Sequence, residues 1–232
     1  MTSQFLKDLA YMTIGRLSAV NLLRYRLTGR VPGLTNGGPL LLHLGSGTHP
    51  IDGFVNIDGN PRQRPDLWLD LTLGLPFPDG CVTGAYCCHT LEHFFEPDVR
   101  RVMREMFRVL RPGGGMRLVT PDMGKAIAAY QGLNSGWFSE FPDSRRSIGG
   151  RFTNYMLCRD QHRLMFDFSF MSELLEDSGF VAIREFTPHR SVLFDAEYLA
   201  TFEYEQPDDN HSLFVEAFKP GAEPTTGIVS SL

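Results

Sequence analysis

The run from Leu40 to Asp58, L-L-L-H-L-G-S-G-T-H-P-I-D-G-F-V-N-I-D, narrows the choice of fold more than any other stretch of the chain. Leu40, Leu41, Leu42 and Leu44 form a short apolar segment that stops at Gly45-Ser46-Gly47. A second apolar segment, Phe54-Val55-Asn56-Ile57, ends on the carboxylate of Asp58. Segments this short, cut off by glycine or an acid, read as strands buried on both faces of a parallel sheet. Such sheets bind ligands beyond the carboxyl ends of their strands, where these glycines and Asp58 fall. Glycine lets the backbone turn sharply and approach a ligand with no Cβ in the way. A carboxylate at the next strand end accepts hydrogen bonds, such as those of a ribose diol. The stretch therefore outlines a nucleoside-containing cofactor site.

The remaining chain supplies the elements around it. A third strand is expected over Leu67–Leu71, ending near Asp70, and a fourth over Val82–Cys88, ending at His89-Thr90-Leu91-Glu92-His93. Pro97 suits a helix start, and Val99, Val102, Met103, Met106, Phe107 and Leu110 keep a helical period. Arg111-Pro112-Gly113-Gly114 should end that helix, and Arg100, Arg101, Arg104 and Arg108 read as its solvated face. Met116–Thr120 reads as a fifth strand, Pro121-Asp122 as the start of a helix, and Ser169 as the cap of a helix running to Ser178. Phe180–Phe186 and Ser212–Phe218 complete the set as sixth and seventh strands. Strands alternating with helices, then a closing strand pair, predict an α/β fold with a doubly wound, mostly parallel seven-stranded sheet. One spacing is unusual. About nine residues join the first two strands, fewer than the ~10–12 of a helical crossover, so the helix there should be vestigial.

In residues 2–30, Leu6, Ala10, Ile14, Leu17, Val20, Leu23 and Leu27 recur at helical steps, with Lys7, Arg16, Arg24, Arg26 and Arg30 between them. A basic amphipathic helix can lie on an anionic membrane surface; the simpler expectation is a cover for the sheet or the site. The expected organisation is an N-terminal helical segment over 1–36, a core domain over 37–219 and a flexible tail over 220–232. Within the core domain, residues 131–165 form an insert on the substrate side. Its aromatics Trp137, Phe138, Phe141, Phe152 and Tyr155 offer a wall that could stack on a sugar or serve as core. With a net charge of −5, the chain gives no support to phosphate-backbone binding, so no nucleic-acid partner is expected. Its four cysteines form no C-x-x-C pair, there is no long apolar run, and residues 1–30 show no leader pattern. A cytoplasmic location is the expectation.

Several segments together resemble the class I S-adenosylmethionine-dependent methyltransferases, which have a Rossmann-like fold. They are L-H-L-G-S-G (Leu42–Gly47), V-N-I-D (Val55–Asp58), D-L-T-L-G-L-P-F-P-D-G (Asp70–Gly80), H-T-L-E-H-F (His89–Phe94) and V-L-R-P-G-G (Val109–Gly114). The nearest likeness is to a bacterial subgroup of predicted methyltransferases associated with surface-saccharide biosynthesis. The resemblance implies S-adenosylmethionine as cofactor and methyl transfer to a small-molecule or saccharide-linked acceptor. It also implies that Gly45, Ser46 and Gly47 pass the methionine end, Asp58 holds the ribose, Asp70 and Leu71 flank the adenine, and His89 lies beside the sulfonium. The sequence departs from the family at His43, where an acid is usual, and at His49, where a third glycine is usual.

Two other readings stay open. An NAD-binding oxidoreductase would need its acid about 20 residues beyond the glycine fingerprint and a helix N-terminus for the pyrophosphate; Asp58 comes sooner and the crossover is short. A cofactor-binding sensor or scaffold without catalysis fits the same site. A general base is needed only if the acceptor must lose a proton. His162 is the substrate-side candidate and His93 the second, with His89 and Glu92 nearby. His89 and His93 are four apart, but Glu92 is not placed as in H-E-x-x-H, so no metal is expected.

Overall fold

The strand order β3-β2-β1-β4-β5-β7-β6 orders the whole molecule. Its strands are β1 (Leu41–Leu44), β2 (Val55–Asp58), β3 (Leu67–Trp68), β4 (Val82–Cys88), β5 (Leu110–Pro121), β6 (Val181–Phe186) and β7 (Ser212–Phe218). Neighbours from β3 to β5 pair parallel, and β7 runs antiparallel to both β5 and β6. This is the expected doubly wound, mostly parallel sheet. The computed structural model describes residues 13–34, 37–207 and 210–221. Residues 2–12 of the helical segment expected over 2–30, and the tail beyond 221, lie outside the described residues, as do Leu6, Lys7 and Ala10.

Alternation along the strands splits the core in two. Leu42 and Leu44 of β1, Met116 and Leu118 of β5, and Val215 of β7 face one layer. That layer is closed by helices α2 (Glu96–Val109) and α5 (Phe168–Asp177). Val99, Val102, Met103, Met106 and Val109 of α2 are all buried there, each contributing about 1.5–3 kcal/mol on transfer from water. Leu41, Tyr86, Val119, Phe214 and Phe218 face the other way.

That second face corrects one expectation. The chain between β1 and β2 forms turns without a helix, as its length requires. The space is covered from the far end of the sheet, by the connection between β6 and β7 and its short helix α6 (Ala196–Leu199), not by the described residues of the N-terminal segment. Phe194, Tyr198, Leu199 and Phe202 pack with Phe54 and Tyr86, and the Tyr198 hydroxyl donates to the Asp52 carbonyl at 2.7 Å. A buried ion cluster clamps this cover. Arg117 of β5 bonds both oxygens of Glu203, at 2.6 and 3.0 Å, and Oε1 of Glu216 at 3.0 Å. It also donates to the carbonyls of Thr187 and Arg190.

Residues 13–17 and α1 (Ala19–Thr28) lie instead at the β3 edge. Asn21 donates to the Trp68 carbonyl, and the Asp70 N–H donates to Ser18 Oγ. Leu22 is buried, while Leu17, Val20, Leu23 and Leu27 are exposed. Among the described residues, no helix is long and apolar enough to cross a membrane.

Smaller differences have local causes. Arg111–Gly114 bulge out within β5 and do not simply end a helix: Val82 pairs with Leu110, and Gly84 next with Gly115. Gly113 takes φ +74° in that bulge, a conformation glycine adopts without strain. The cap of α5 is Asp167, whose Oδ1 accepts from the Phe170 N–H at 2.8 Å; Ser169 lies inside the helix and donates to Asp167. Three of the four helix arginines are not merely solvated. Arg100 pairs with Glu96 and Asp177, Arg108 with Asp79 and Glu105, and Arg101 donates to the Thr72 carbonyl.

Helices α3 (Met123–Gln131) and α4 (Ile148–Leu157) frame the insert. Its aromatics mostly build a small core of its own. Phe138 is buried with Ala126, Ala129 and Met156, and Trp137, Phe152 and Tyr155 pack against them. Phe141 is exposed.

Candidate active site

The glycine loop folds back on the end of β2. The Gly45 and Ser46 N–H groups both donate to the Ile57 carbonyl, at 2.9 and 3.0 Å. Asp58 closes the turn: its Oδ2 accepts from the Gly47 N–H at 2.9 Å and its Oδ1 from the Asn60 N–H at 2.7 Å. The carboxylate is 5% exposed, and each oxygen still has a lone pair to offer. Two adjacent acceptors of this kind suit a vicinal diol. Gly45 takes φ +69°, and a Cβ there would fall 2.1 Å from Thr90 Oγ1. The loop is thus sealed against the end of β4 by Thr90, a residue that glycine and acid patterns do not reveal.

Asp70 and Leu71 stand at the same end of the sheet, one strand further out. Asp70 Oδ1 accepts from the Thr72 N–H and hydroxyl, at 2.9 and 2.7 Å, and so caps the turn Leu71–Leu73. Its own N–H is held by Ser18, and Leu71 is buried. The N-terminal segment therefore abuts this end of the site.

His89, just beyond β4, has φ +46°, an uncommon conformation for a non-glycine residue and one found preferentially at functional sites. Its Nδ1 lies 3.2 Å from Glu92 Oε1 and its Nε2 3.1 Å from Ser212 Oγ. Ser212 gives its own proton to Glu205 Oε1 at 2.7 Å, so both ring nitrogens of His89 face acceptors. Burial opposes charging the ring, but the Glu92 bond and charge outweigh it, and the His89 pKa lies above its ordinary value. Burial likewise opposes ionising Glu92, yet the His89 contact holds its pKa below the usual range. The contact thus favours the charged form of each partner. A serine-nucleophile reading of Ser212–His89–Glu92 fails on this geometry, because the hydroxyl proton points at Glu205 and Ser212 is buried. Ser212 and Glu205 were hidden from sequence reading, being 123 and 116 positions from His89.

The two base candidates come together. His93 and His162 have ring centroids 5.2 Å apart. His93 Nδ1 lies 3.2 Å from the Gln161 carbonyl and His162 Nδ1 2.9 Å from the Met156 carbonyl. Carbonyls only accept, so both Nδ1 atoms donate, and in the neutral ring of each histidine Nε2 is the atom with the lone pair. Burial pulls the His162 pKa below its ordinary value, favouring the neutral ring. The insert is pinned here by the Arg163 and Leu164 N–H groups, both donating to the Glu92 carbonyl. Tyr155, whose hydroxyl accepts from the Asp122 N–H and donates to the His211 carbonyl, fastens the insert to β5 and β7.

The two family departures have structural roles. His43 is buried in β1, bonded to Asn56 and beside Tyr86 and Phe54, and its pKa is lowered to about 4, mainly by burial. His49 lies in the β1–β2 loop, with its N–H on the Ser46 carbonyl and its ring near Tyr204.

A family profile described as a methyltransferase domain matches residues 61–118, from the turn after β2 into β5. The chain is 26% identical over 110 residues to the demethylmenaquinone methyltransferase of Listeria welshimeri serovar 6b. That match covers 47% of this chain and 46% of the relative, so the chain spans about half the relative's length. Among solved structures it is similar to Haemonchus contortus phosphoethanolamine N-methyltransferase 2 in complex with S-adenosyl-L-methionine, with TM-score 0.50 and 13% identity over 88% of this chain and 52% of that one. It is also similar to a SAM-dependent methyltransferase from Archaeoglobus fulgidus, with TM-score 0.50 and 12% identity over 87% and 94% of the two chains. The fold is that of the class I S-adenosylmethionine-dependent methyltransferases. Within that fold, the methyltransferase-domain match spans the Asp70 turn and the whole of the His89–His93 segment.

Proposed function

We propose that the chain transfers a methyl group from S-adenosylmethionine to a small-molecule acceptor. The observation that carries this reading is the closed unit of Gly45–Gly47, Asp58 and Thr90, which presents two buried carboxylate lone pairs beside a glycine turn with no room for a side chain. In the reaction a lone pair on the acceptor forms a bond to the methyl carbon as the carbon–sulfur bond breaks, leaving S-adenosylhomocysteine. Rate then depends chiefly on holding acceptor and methyl in line. Gly45, Ser46 and Gly47 take the methionine end, Asp58 the ribose, Asp70 and Leu71 the adenine, and the His89 segment borders the sulfonium. Acceptor contacts fall to the insert and to His93 and His162.

A saccharide-linked acceptor is the finer reading, supported by the likeness of the Leu42–Gly47 and His89–Phe94 segments to surface-saccharide methyltransferases. The net charge of −5 speaks against a nucleic-acid acceptor. Incubation with methyl-labelled S-adenosylmethionine and the small-molecule fraction of a cell extract tests the assignment. A new labelled product supports transfer. Tight S-adenosylhomocysteine binding with no labelled product in any fraction would instead favour the sensor or scaffold reading.

A further inference from the structure

Glu92 is the least explained group near the site. It is 1% exposed. Its Oε1 is taken by His89, while Oε2 is buried without any hydrogen-bond partner. A buried carboxylate oxygen left unpaired is costly, so such an atom points to a ligand that completes it. What surrounds it is specific. One carboxylate oxygen of Glu92 and one ring nitrogen from each of His93 and His162 lie within 4.8 Å of one another.

We propose that Glu92, His93 and His162 form a binding site for a divalent transition-metal ion of the zinc class. Two imidazoles and one carboxylate are a donor set that suits such ions. Both histidines are already arranged as ligands are, with Nδ1–H on a backbone carbonyl and the Nε2 lone pair available, the outer contact that fixes ring orientation at metal sites. The carboxylate is oriented in the same way, by His89 on Oε1. Metal–ligand bonds of ~2.0–2.2 Å place ligand atoms roughly 3.3 Å apart, so atoms already within 4.8 Å of one another close by at most about 1.5 Å when the ion binds. His93 is exposed and gives the ion a way in.

The placement says what the ion would face. Glu92 and His93 follow Thr90, which packs on Gly45, and His162 comes from the insert. Three protein ligands leave at least one coordination position open on the acceptor side. An acceptor oxygen bound there would lose its proton more readily, which names hydroxyl-bearing acceptors as the class. That last step rests on the methyltransferase reading; the metal site does not. Such a site departs from the sequence-spacing expectation of no metal, because His162 lies 70 positions from Glu92 and joins it only through the fold.

The test is titration of the chelator-treated, full-length protein with Co²⁺, followed by visible absorption, and with Zn²⁺, followed by calorimetry. One equivalent is expected to bind, with affinity reduced at least tenfold in His162→Ala and in Glu92→Gln. Because Glu92→Gln disturbs His89 and could fail to fold, His162→Ala carries the test, with circular dichroism as the check of folding. Absence of binding in the wild type, or equal binding by a folded His162→Ala, overturns the site. S-adenosylhomocysteine binding is measured on the same samples: loss of nucleoside binding with the metal site intact counts against the methyl-transfer reading alone.

Discussion

The buried His43 should make stability fall with acid in a defined window. It sits in β1 between Asn56 of β2 and Tyr86 of β4, 4% exposed, with Nδ1 3.1 Å from Asn56 Oδ1. Burial lowers its pKa from 6.5 to about 4, and the Asn56 bond offsets part of that. In the unfolded chain the ring takes up a proton near pH 6.5, whereas the folded ring resists until about pH 4. Between those values the unfolded state binds more protons, so folding stability declines as pH falls and levels off below the lower value. At ~1.36 kcal/mol per pKa unit, the gap from 6.5 to about 4 is worth roughly 3 kcal/mol. His43→Leu removes the titration while Asn56 Oδ1 keeps its bond from the Ile51 N–H at 2.8 Å. Urea denaturation of both proteins across this pH range isolates the effect, because the other titratable groups are common to both. Wild type should lose roughly 3 kcal/mol more than the variant on acidification. A difference that does not change with pH, or a His43 ring resonance titrating near 6.5, would refute the reasoning.

Two further outcomes follow from the geometry. Glu203→Gln weakens the buried clamp on Arg117, whose side chain is 0% exposed beside a Glu203 that is 1% exposed. Loss of one partner of a buried pair costs about 3–5 kcal/mol, and Glu216 remains to limit the damage, so a loss near the lower figure is expected in urea unfolding. Gly45→Ala places a Cβ 2.1 Å from Thr90 Oγ1 at a φ of +69°; it should lower the thermal midpoint and weaken S-adenosylhomocysteine binding together. A variant that binds normally would show that the loop is not where the cofactor passes.

What the sequence revealed and what it hid divide by distance along the chain. The strands announce themselves because strands buried on both faces must be apolar runs, and β4 and the antiparallel β7 both fall where those runs lie. The Gly45 loop and Asp58 are legible because a turn without a Cβ and a strand-end acid each require particular residues within a short span. Arg117 with Glu203, by contrast, is a pairing across 86 positions that no local pattern encodes. That is why the cover over the second face looked like a task for the N-terminal segment. Asp167 and Ser169 both suit a helix cap, and only the backbone decided between them. The grouping of Glu92 with His162 depends on the insert folding back to place Arg163 and Leu164 on the Glu92 carbonyl. Spacing rules for metal sites act on single helices and loops, and they pass over ligands assembled this way.

The central claim is that Gly45–Gly47 and Asp58 hold the methionine end and the ribose of S-adenosylmethionine. Calorimetric titration of the folded protein with S-adenosylhomocysteine tests it most directly, with Asp58→Ala as the comparison. Saturable one-to-one binding is expected, weakened in the variant by roughly 1.5–3 kcal/mol, the range for hydrogen bonds to a charged group. No binding by the folded wild type, or equal affinity in a folded Asp58→Ala, would contradict it.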